Sequence, residues 1–241
     1  MISGLAISPA QALQRQARLF VGLVVRPGAA AADVLAEGRP VVAFLAIALA
    51  CVVAALNTTR FAALTSVSDL VYGPQRAPVV DVLLRELGTA RTAVVVYLAE
   101  QAWAAVLVVS AIAPFLVWVL GATAVHAAAR LASAGRPFAR FSVFVAYATA
   151  TALVPSGLAS LLLEADPRSP LAALGRLVGF ALSIWLGALL YQGIRAYYAV
   201  SATRALTILV VAATLFYLVP FLLILGAMIA IVVAAVLLDL A

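Results

Sequence analysis

Residues 205–238 read ALTILVVAATLFYLVPFLLILGAMIAIVVAAVLL and contain no charged side chain. At about 1.5 Å per residue, this stretch would form a straight helix about 51 Å long, well beyond the roughly 30 Å hydrocarbon thickness of a bilayer. No polar turn lies between Arg204 and Asp239 to carry the chain back through water. We therefore predict one tilted or kinked membrane span here, with two shorter spans divided at Pro220 or a re-entrant segment as alternatives.

The whole composition agrees with that stretch. Hydrophobic residues make up 67% of the 241 residues and charged residues 10%, against about 45–50% and about 25% in soluble domains. So few charges cannot cover the core of a soluble fold of this length. Applying the length criterion to the whole chain predicts an all-α polytopic transmembrane helical bundle of about five spans, a membrane domain over residues 40–241 with spans at 40–56, 102–125, 141–163, 171–193 and 205–238.

Residues 1–39 precede the first span and form a predicted cytoplasmic amphipathic segment. Residues 9–25, PAQALQRQARLFVGLVV, have the pattern of an interfacial helix, with a simple helical lead-in to the first span as the alternative. Its predicted apolar side contains Leu13, Leu19, Phe20 and Leu23. Its predicted polar residues are Gln11, Arg15, Gln16 and Arg18. Pro27 and Gly28 interrupt this helix, and a second short helix is predicted over residues 29–38.

Residues 57–92 are the only long connection between predicted spans. Their second half, 78–91, alternates apolar and charged residues and predicts a short helix on the outer leaflet. The first half contains Gly73 and Pro74, and we predict that it is irregular.

Arginines give the orientation, because cytoplasmic segments of membrane proteins are enriched in basic residues. With five spans, nine arginines fall on the side of the N-terminus and six on the other, where acidic residues balance them. We therefore expect a cytoplasmic N-terminus and an extracytoplasmic C-terminus. No secretory signal precedes Arg15. All fifteen basic residues are Arg, which suggests GC-rich coding, a bacterial source and an inner (plasma) membrane location.

Candidate chemistry is sparse, and we predict no catalytic residues, no cofactor and no metal site. His126 and Cys51 are single residues of their kinds, so they form neither a metal cluster nor a triad by themselves. His126 is expected at the membrane interface, hydrogen-bonded to a neighbour. Ser156 in VPSGLAS lacks the glycine-bounded motif of a serine nucleophile. We interpret Pro155, Ser156 and Gly157 as a helix distortion whose backbone groups find partners nearby.

Three other features have both a structural and a functional interpretation. Glu100 could move protons, but neighbouring Tyr97 and Trp103 are typical of the outer interface. Arg176 and Arg195 flank the fourth span and are interpreted as anchors that extend to the two interfaces. Gly175 and Gly179 form a small-xxx-small pair, which favours close packing within the chain, with a homodimer face as the alternative.

The order of landmarks resembles the Yip family, the Ypt/Rab-interacting membrane proteins and their bacterial relatives. The features that carry the resemblance are Arg26-Pro27 before the first span, HAAARLASAGRPFARF at 126–141, Pro155, and YQGIRAYYAVSATRAL at 191–206. Two departures are the single Gly135 where a glycine-rich segment is expected and the long fifth span. The resemblance implies a five-helix membrane protein without enzymatic activity. Eukaryotic members are similar to scaffolds for small GTPases, a role that does not transfer to a bacterial chain.

These observations predict a non-enzymatic scaffold or accessory subunit of membrane or transport assemblies. The expected partners are the lipid bilayer, with anionic lipid at the cytoplasmic face, and another membrane protein or a second copy of this chain. Nucleic acid is not expected, because the arginines are singly spaced between apolar segments. The alternative is a small transporter or channel component with breaks at Pro114, Pro155 and Pro220, and a pathway lined by Thr149, Thr151, Ser156 and Ser183.

Overall fold

The computed structural model describes residues 9–64, 78–164 and 169–239, which form eight helices and no strand. The helices are α1 (Pro9–Val25), α2 (Pro27–Glu37), α3 (Pro40–Leu64), α4 (Pro78–Ala111), α5 (Ala113–Leu131), α6 (Phe138–Leu163), α7 (Pro170–Tyr198) and α8 (Ala202–Asp239). The prediction of an all-α polytopic fold is confirmed.

Six helical segments of the described chain are long and apolar enough to cross a membrane: Pro40–Ala63, Ala93–Ala111, Ala113–Leu131, Phe138–Leu163, Pro170–Tyr198 and Ala202–Leu222. The structure differs from the five predicted spans at the second one, 102–125, which it divides at Ile112 between α4 and α5. Pro114 accounts for the division, because proline lacks the N–H that would bond the preceding turn and its ring crowds that turn.

Two other boundaries differ from the sequence prediction. Helix α3 continues to Leu64, eight residues past the predicted end of the first span. Helix α4 contains Gly88 with φ 71° and ψ 170°, a left-handed backbone that glycine adopts without a steric penalty. The kink falls inside the short helix predicted for residues 78–91 and separates residues 78–87 from the membrane-length part that starts at Ala93. Most of the irregular half of that connection, residues 65–77, lies outside the described residues.

Helix α8 continues through Pro220 without a break. A proline inside a helix removes one hydrogen bond, which surrounding apolar helix can tolerate when the freed carbonyl finds another partner. The structure therefore has one helix where the sequence allowed one or two, and the number of crossings made by 205–238 stays a prediction.

Backbone contacts divide the chain into two units. The first contains the described residues 9–45, 116–151 and 184–239, and its core is built around the first half of α6, where Phe141, Phe144 and Tyr147 are fully buried. Gly193 on α7 makes room for this core: a Cβ there would lie 2.0 Å from Cε1 of Phe144. Packing this close excludes any side chain at position 193 unless Phe144 moves.

The second unit contains residues 46–115 and the described part of 152–183. Ile47, Ala50 and Val53 of α3 are buried in it. Helices α3 and α6 approach closely at Gly157, where a Cβ would lie 2.5 Å from Cγ1 of Val53. Small residues let membrane helices approach in this way, since apolar attraction between helices is weak in lipid.

Candidate functional site

Helix α1 is held in the first unit by one narrow face. Gln16, Leu19 and Leu23 are buried on it, at the i, i+3 and i+7 spacing that puts residues on one side of a helix. Phe20 borders this face and stacks on the ring of Tyr147, with the centroids 4.6 Å apart. Leu13, which the sequence pattern placed on the same side, is instead 69% exposed, because the buried face is narrower than the whole apolar sector.

A chain of hydrogen bonds, here called the Tyr147 junction, ties this face to α2 and α6. The backbone N–H of Arg39 donates to the Tyr147 hydroxyl over 3.3 Å, and that hydroxyl donates to the side-chain oxygen of Gln16. The amide nitrogen of Gln16 donates in turn to the carbonyl of Glu37 at 3.4 Å. Gln16 is 4% exposed and Tyr147 0%. Buried polar groups paired in this way give a helix one defined docking geometry.

The outer edge of this docking carries an ion pair between the side chains of Arg15 and Glu37, with 2.6 Å between Nε and Oε2. The hydrogen bond from Arg15 and its positive charge lower the pKa of the Glu37 carboxyl below its ordinary value, with desolvation acting in the opposite direction. The same hydrogen bond and charge attraction raise the pKa of Arg15. Because both groups are exposed, water screens the pair and its contribution to stability is small.

Outside its docked face, α1 presents two further faces. Leu13, Ala17, Val21 and Val24 are exposed and follow one another at helical spacing, forming what we call the apolar stripe of α1. Arg18 is exposed on the neighbouring polar face. A helix with an exposed apolar stripe beside basic residues has the composition of one that lies in the membrane interface.

The only histidine is also in the first unit. Nδ1 of His126 lies 3.3 Å from the Tyr198 hydroxyl, and its ring meets Phe138 edge to face with centroids 5.3 Å apart. The sequence predicted a histidine hydrogen-bonded to a neighbour, and this contact confirms it. The nearby Tyr197 hydroxyl donates to the carbonyl of Pro137, and Arg136 lies 5.8 Å from the Tyr197 ring.

The second unit contains a cavity of about 370 Å³ that combines ionisable, hydroxyl and aromatic side chains. Its lining contains Asn57, Thr58, Arg60, Phe61, Trp103, Val106, Leu107, Ser110, Ser160, Glu164, Ala172 and Arg176. These residues come from α3, α4, the end of α6 and the first turns of α7. We call this feature the Arg176 cavity.

Arg60 forms one wall of the cavity by closing the end of α6. Its guanidinium donates to the carbonyls of Ser160 at 3.2 Å and Leu161 at 3.0 Å, and to the backbone carbonyl of Glu164. The last carbonyls of a helix lack intrahelical donors, and a cation at that end is favoured by the helix dipole. Three bonds from one side chain hold Arg60 in a single position, so it supports the wall of the cavity.

The other two ionisable groups of the cavity are not used in this way. Within the described chain, neither the Glu164 carboxylate nor the Arg176 guanidinium makes an ion pair or a hydrogen bond. Glu164 lies against Gly175, where a Cβ would be 2.9 Å from its Oε1. The glycine therefore leaves room for this carboxylate in the lining of the cavity that also contains Arg176.

Aromatic rings form a third part of the lining. Trp103 and Phe61 lie with ring centroids 5.7 Å apart. The indole Nε1 of Trp103 is shielded and has no hydrogen-bond partner in the described structure. Because its N–H is shielded, Trp103 contributes ring surface rather than a hydrogen-bond donor to the cavity.

Several residues singled out in the sequence have structural partners. Gly179 faces Ser156, whose Oγ would lie 3.3 Å from a Cβ there, and Gly175 faces Glu164, so the small-residue pair packs within the chain. Asn57 donates to the Gly157 carbonyl at 2.9 Å, and α6 is continuous through Pro155. Arg195 lies 5.8 Å from the Tyr191 ring. Glu100 is exposed on α4.

The residues expected to line a transport pathway do not line the described cavity. Thr151 and Ser183 donate to carbonyls of their own helices, those of Tyr147 and Gly179. Thr149 is fully buried, and its hydroxyl has no partner in the described part of the chain. No cluster of three His, Cys, Asp or Glu side chains suited to a metal occurs among the residues that the structure describes.

Sequence reasoning missed the residues that build the Tyr147 junction and the Arg176 cavity. Gln16 was assigned to a polar face, although it is the buried polar group of α1. Arg176 was interpreted as an anchor, and its place beside Glu164 depends on a meeting of helices that spacing does not reveal. The available signal for Arg60 was its position near the end of an apolar helix, where a basic residue often bonds terminal carbonyls.

Comparison with known families identifies the group to which the chain belongs. The sequence model of the Yip1 domain matches residues 21–224, most of the chain. No curated protein and no solved structure matches it. The chain therefore belongs to the Yip1-domain family and is a multi-pass membrane protein, as the landmarks at 126–141 and 191–206 indicated.

Proposed function

We propose that this Yip1-domain protein is a non-enzymatic scaffold or accessory subunit whose N-terminal helices present a binding surface at the cytoplasmic side of the plasma membrane. One observation carries the proposal: α1 is fixed by a buried polar junction, yet its apolar stripe remains exposed. Holding an apolar surface in one orientation on a rigid support favours recognition, because little ordering cost remains when a partner binds.

The surface suits two kinds of neighbour, lipid and protein, which can bind to it at the same time. The apolar stripe can enter the boundary between headgroups and acyl chains, while Arg18 and Arg26, both exposed, attract anionic lipid. The same stripe offers a membrane partner, or a second copy of this chain, an apolar helix face. The position of the α1–α2 pair before the first membrane-length helix supports placing it at the membrane surface.

Contacts among helix ends support a five-crossing topology even though six segments are long enough to cross. Arg204, at the start of α8, donates to the carbonyl of Ala132, just after α5. Arg140, at the start of α6, donates to the carbonyl of Gly38, just before α3, at 3.4 Å. These bonds and the short connection between α5 and α6 group the start of α3 with the end of α5.

That grouping limits the path of the chain. If α3 crosses once, the chain must return to its starting face by the end of α5, so Ala93–Ala111 and Ala113–Leu131 together contribute an odd number of crossings. One net crossing by this pair, with single crossings by α6, α7 and α8, gives five. The N-terminus is then cytoplasmic by the arginine distribution and the C-terminus extracytoplasmic.

The test is affinity purification of the full chain from its native membranes in mild detergent. We expect a copurifying membrane partner, and we expect Leu13→Asp, which places a charge in the apolar stripe, to abolish its recovery. Gln11→Asp adds the same charge at an exposed position on the polar side of the helix and should retain the partner. Both variants should unfold at the wild-type temperature, because neither residue is buried.

The alternative is a small transporter or channel component, favoured by the charged lining of the Arg176 cavity. Reconstitution in liposomes separates the two functions. The transporter function would replace the scaffold function if two results are obtained. The chain would be recovered alone under all detergent conditions, and reconstituted liposomes would show ion or solute flux. Partner recovery that is equal in wild type and Leu13→Asp would remove α1 as the binding surface.

A further inference from the structure

The Arg176 cavity lies where helices of the second unit end. Arg60 is in the last turns of α3, Ser160 is in the last turn of α6, and Glu164 follows α6 directly. Arg176 is in the second turn of α7. The ends of membrane-length helices lie at the depth of lipid headgroups, where polar and aromatic side chains are favoured. A cavity at this depth is reached from the headgroup layer.

The charges in the lining define the ligand. Arg60 is already bonded to three carbonyls, which leaves the Arg176 guanidinium and the Glu164 carboxylate as the groups open to a ligand. A guanidinium binds phosphate through charge-assisted hydrogen bonds, and a carboxylate binds an ammonium group. A ligand with one of each satisfies both, whereas a purely anionic ligand leaves the carboxylate facing a negative charge.

The remaining lining fits the same ligand. Ser110 and Ser160 provide hydroxyls that can bond a phosphate or ester oxygen. The rings of Trp103 and Phe61 can accept a cation on their faces. Val106 and Leu107 make part of the lining apolar. A volume of about 370 Å³ is at the small end of ligand sites, which suits a headgroup better than a whole lipid.

We propose that the Arg176 cavity binds the headgroup of a zwitterionic phospholipid, with Arg176 holding the phosphate and Glu164 holding the amine. The acyl chains remain in the bilayer. This site is separate from the α1 surface and does not depend on the proposed scaffold function.

The experiment uses the full chain, purified in detergent and stripped of lipid. It is exposed to an equimolar mixture of phosphatidylethanolamine, phosphatidylcholine and phosphatidylglycerol, and retained lipid is measured by native mass spectrometry. Because the α1 surface can also hold anionic lipid, the lipid held by the cavity is measured as the retention that Arg176→Gln removes. We expect this retention to favour the two zwitterionic lipids over phosphatidylglycerol by about tenfold, the effect of one charge-assisted hydrogen bond. The ratio of ethanolamine to choline lipid reports whether hydrogen bonds or ring faces dominate amine binding.

Two variants divide the site. Glu164→Gln should remove the preference for zwitterionic lipid, while Arg176→Gln should lower retention of the two zwitterionic lipids about tenfold. Arg60 bonds the backbone carbonyl of Glu164, so the side-chain change leaves that structural bond in place. Arg195→Gln, on the same helix and outside the cavity, is the control and should behave as wild type.

The proposal is overturned if Arg176→Gln lowers retention of the three lipids equally, if it lowers phosphatidylglycerol most, or if neither Glu164→Gln nor Arg176→Gln changes retention relative to Arg195→Gln. Thermal unfolding of each variant in the same detergent identifies any that fails to fold. In that case Glu164→Asp and Arg176→Lys, which keep the charges, should restore the retention pattern at least in part. A failed partner purification with intact lipid selectivity would affect only the scaffold function.

Discussion

The Tyr147 junction and the Arg176 cavity both place polar side chains among apolar helices, but they use them differently. At the junction, Gln16, Tyr147 and the backbone of Arg39 bond one another, and the side chains of Gln16 and Tyr147 are shielded from solvent. In the cavity, Arg60 is bonded to a helix end, while the Glu164 carboxylate and the Arg176 guanidinium line open space without protein partners in the described structure. Polar groups that satisfy each other stabilise a fold, and polar groups left available are suited to a ligand.

The largest effect is expected at the packing that supports the junction. Gly193→Ala puts a Cβ 2.0 Å from Cε1 of the buried Phe144, so the ring must shift inside a filled core. We expect a loss of about 3 kcal/mol in unfolding free energy, measured by denaturant or thermal unfolding in mild detergent. Gly187→Ala on the same helix is the control, because a Cβ there meets nothing within 4 Å. Equal stability of the two variants would show that this region is loosely packed.

Breaking the junction itself should have a smaller effect. Tyr147→Phe removes the hydroxyl and leaves the Gln16 oxygen and the Arg39 N–H without it, at a cost of about 1–3 kcal/mol. Adding Gln16→Leu removes one of the unpaired groups, so the double variant should lose less than the sum of the single losses. Unfolding measurements on wild type, the two single variants and the double variant provide the double-mutant cycle. Additive losses would mean that the hydrogen bond between Gln16 and Tyr147 does not contribute to stability.

Removing a polar group from the cavity should cost little. Ser110→Ala deletes a hydroxyl from the lining of the cavity at an exposed position, so its unfolding free energy should stay within about 0.5 kcal/mol of wild type. The same unfolding assay in lipid-free detergent measures it. A loss of unfolding free energy as large as that of Tyr147→Phe would mean that the cavity residues also stabilise the fold. It would contradict the difference drawn between the cavity and the junction.

The smallest effect is expected at the exposed Arg15–Glu37 pair. The pKa of Glu37 is lower in the folded chain than its ordinary value, so the stabilisation is present above the ordinary carboxyl pKa and is lost as pH falls through the folded pKa. Glu37→Gln should therefore be slightly less stable than wild type at neutral pH and equal to it in acid. Thermal unfolding of both proteins at two pH values measures this difference, and an unchanged gap in acid would exclude the pair as its cause.

Particular residues show where sequence prediction succeeded and where it did not. The helices at Pro9–Val25 and Pro27–Glu37 and the family landmarks could be predicted from local pattern, because capping, proline and apolar spacing act within a few turns. The sequence analysis placed Pro114 inside one predicted span, 102–125, whereas the structure ends a helix just before it, since sequence does not show whether surrounding packing keeps a helix continuous. Pro220 lies inside an unbroken helix, which illustrates the same uncertainty.

The sequence by itself determined that this protein folds in a lipid bilayer rather than in water. Its charge-free stretches cannot be covered in water, so an all-α polytopic membrane fold follows from composition and length alone. Only the tertiary structure decided which polar residues are paired with each other and which line a cavity. Hydropathy is a property of each segment, whereas the partners of Gln16, Glu164 and Arg176 depend on contacts between residues far apart along the chain.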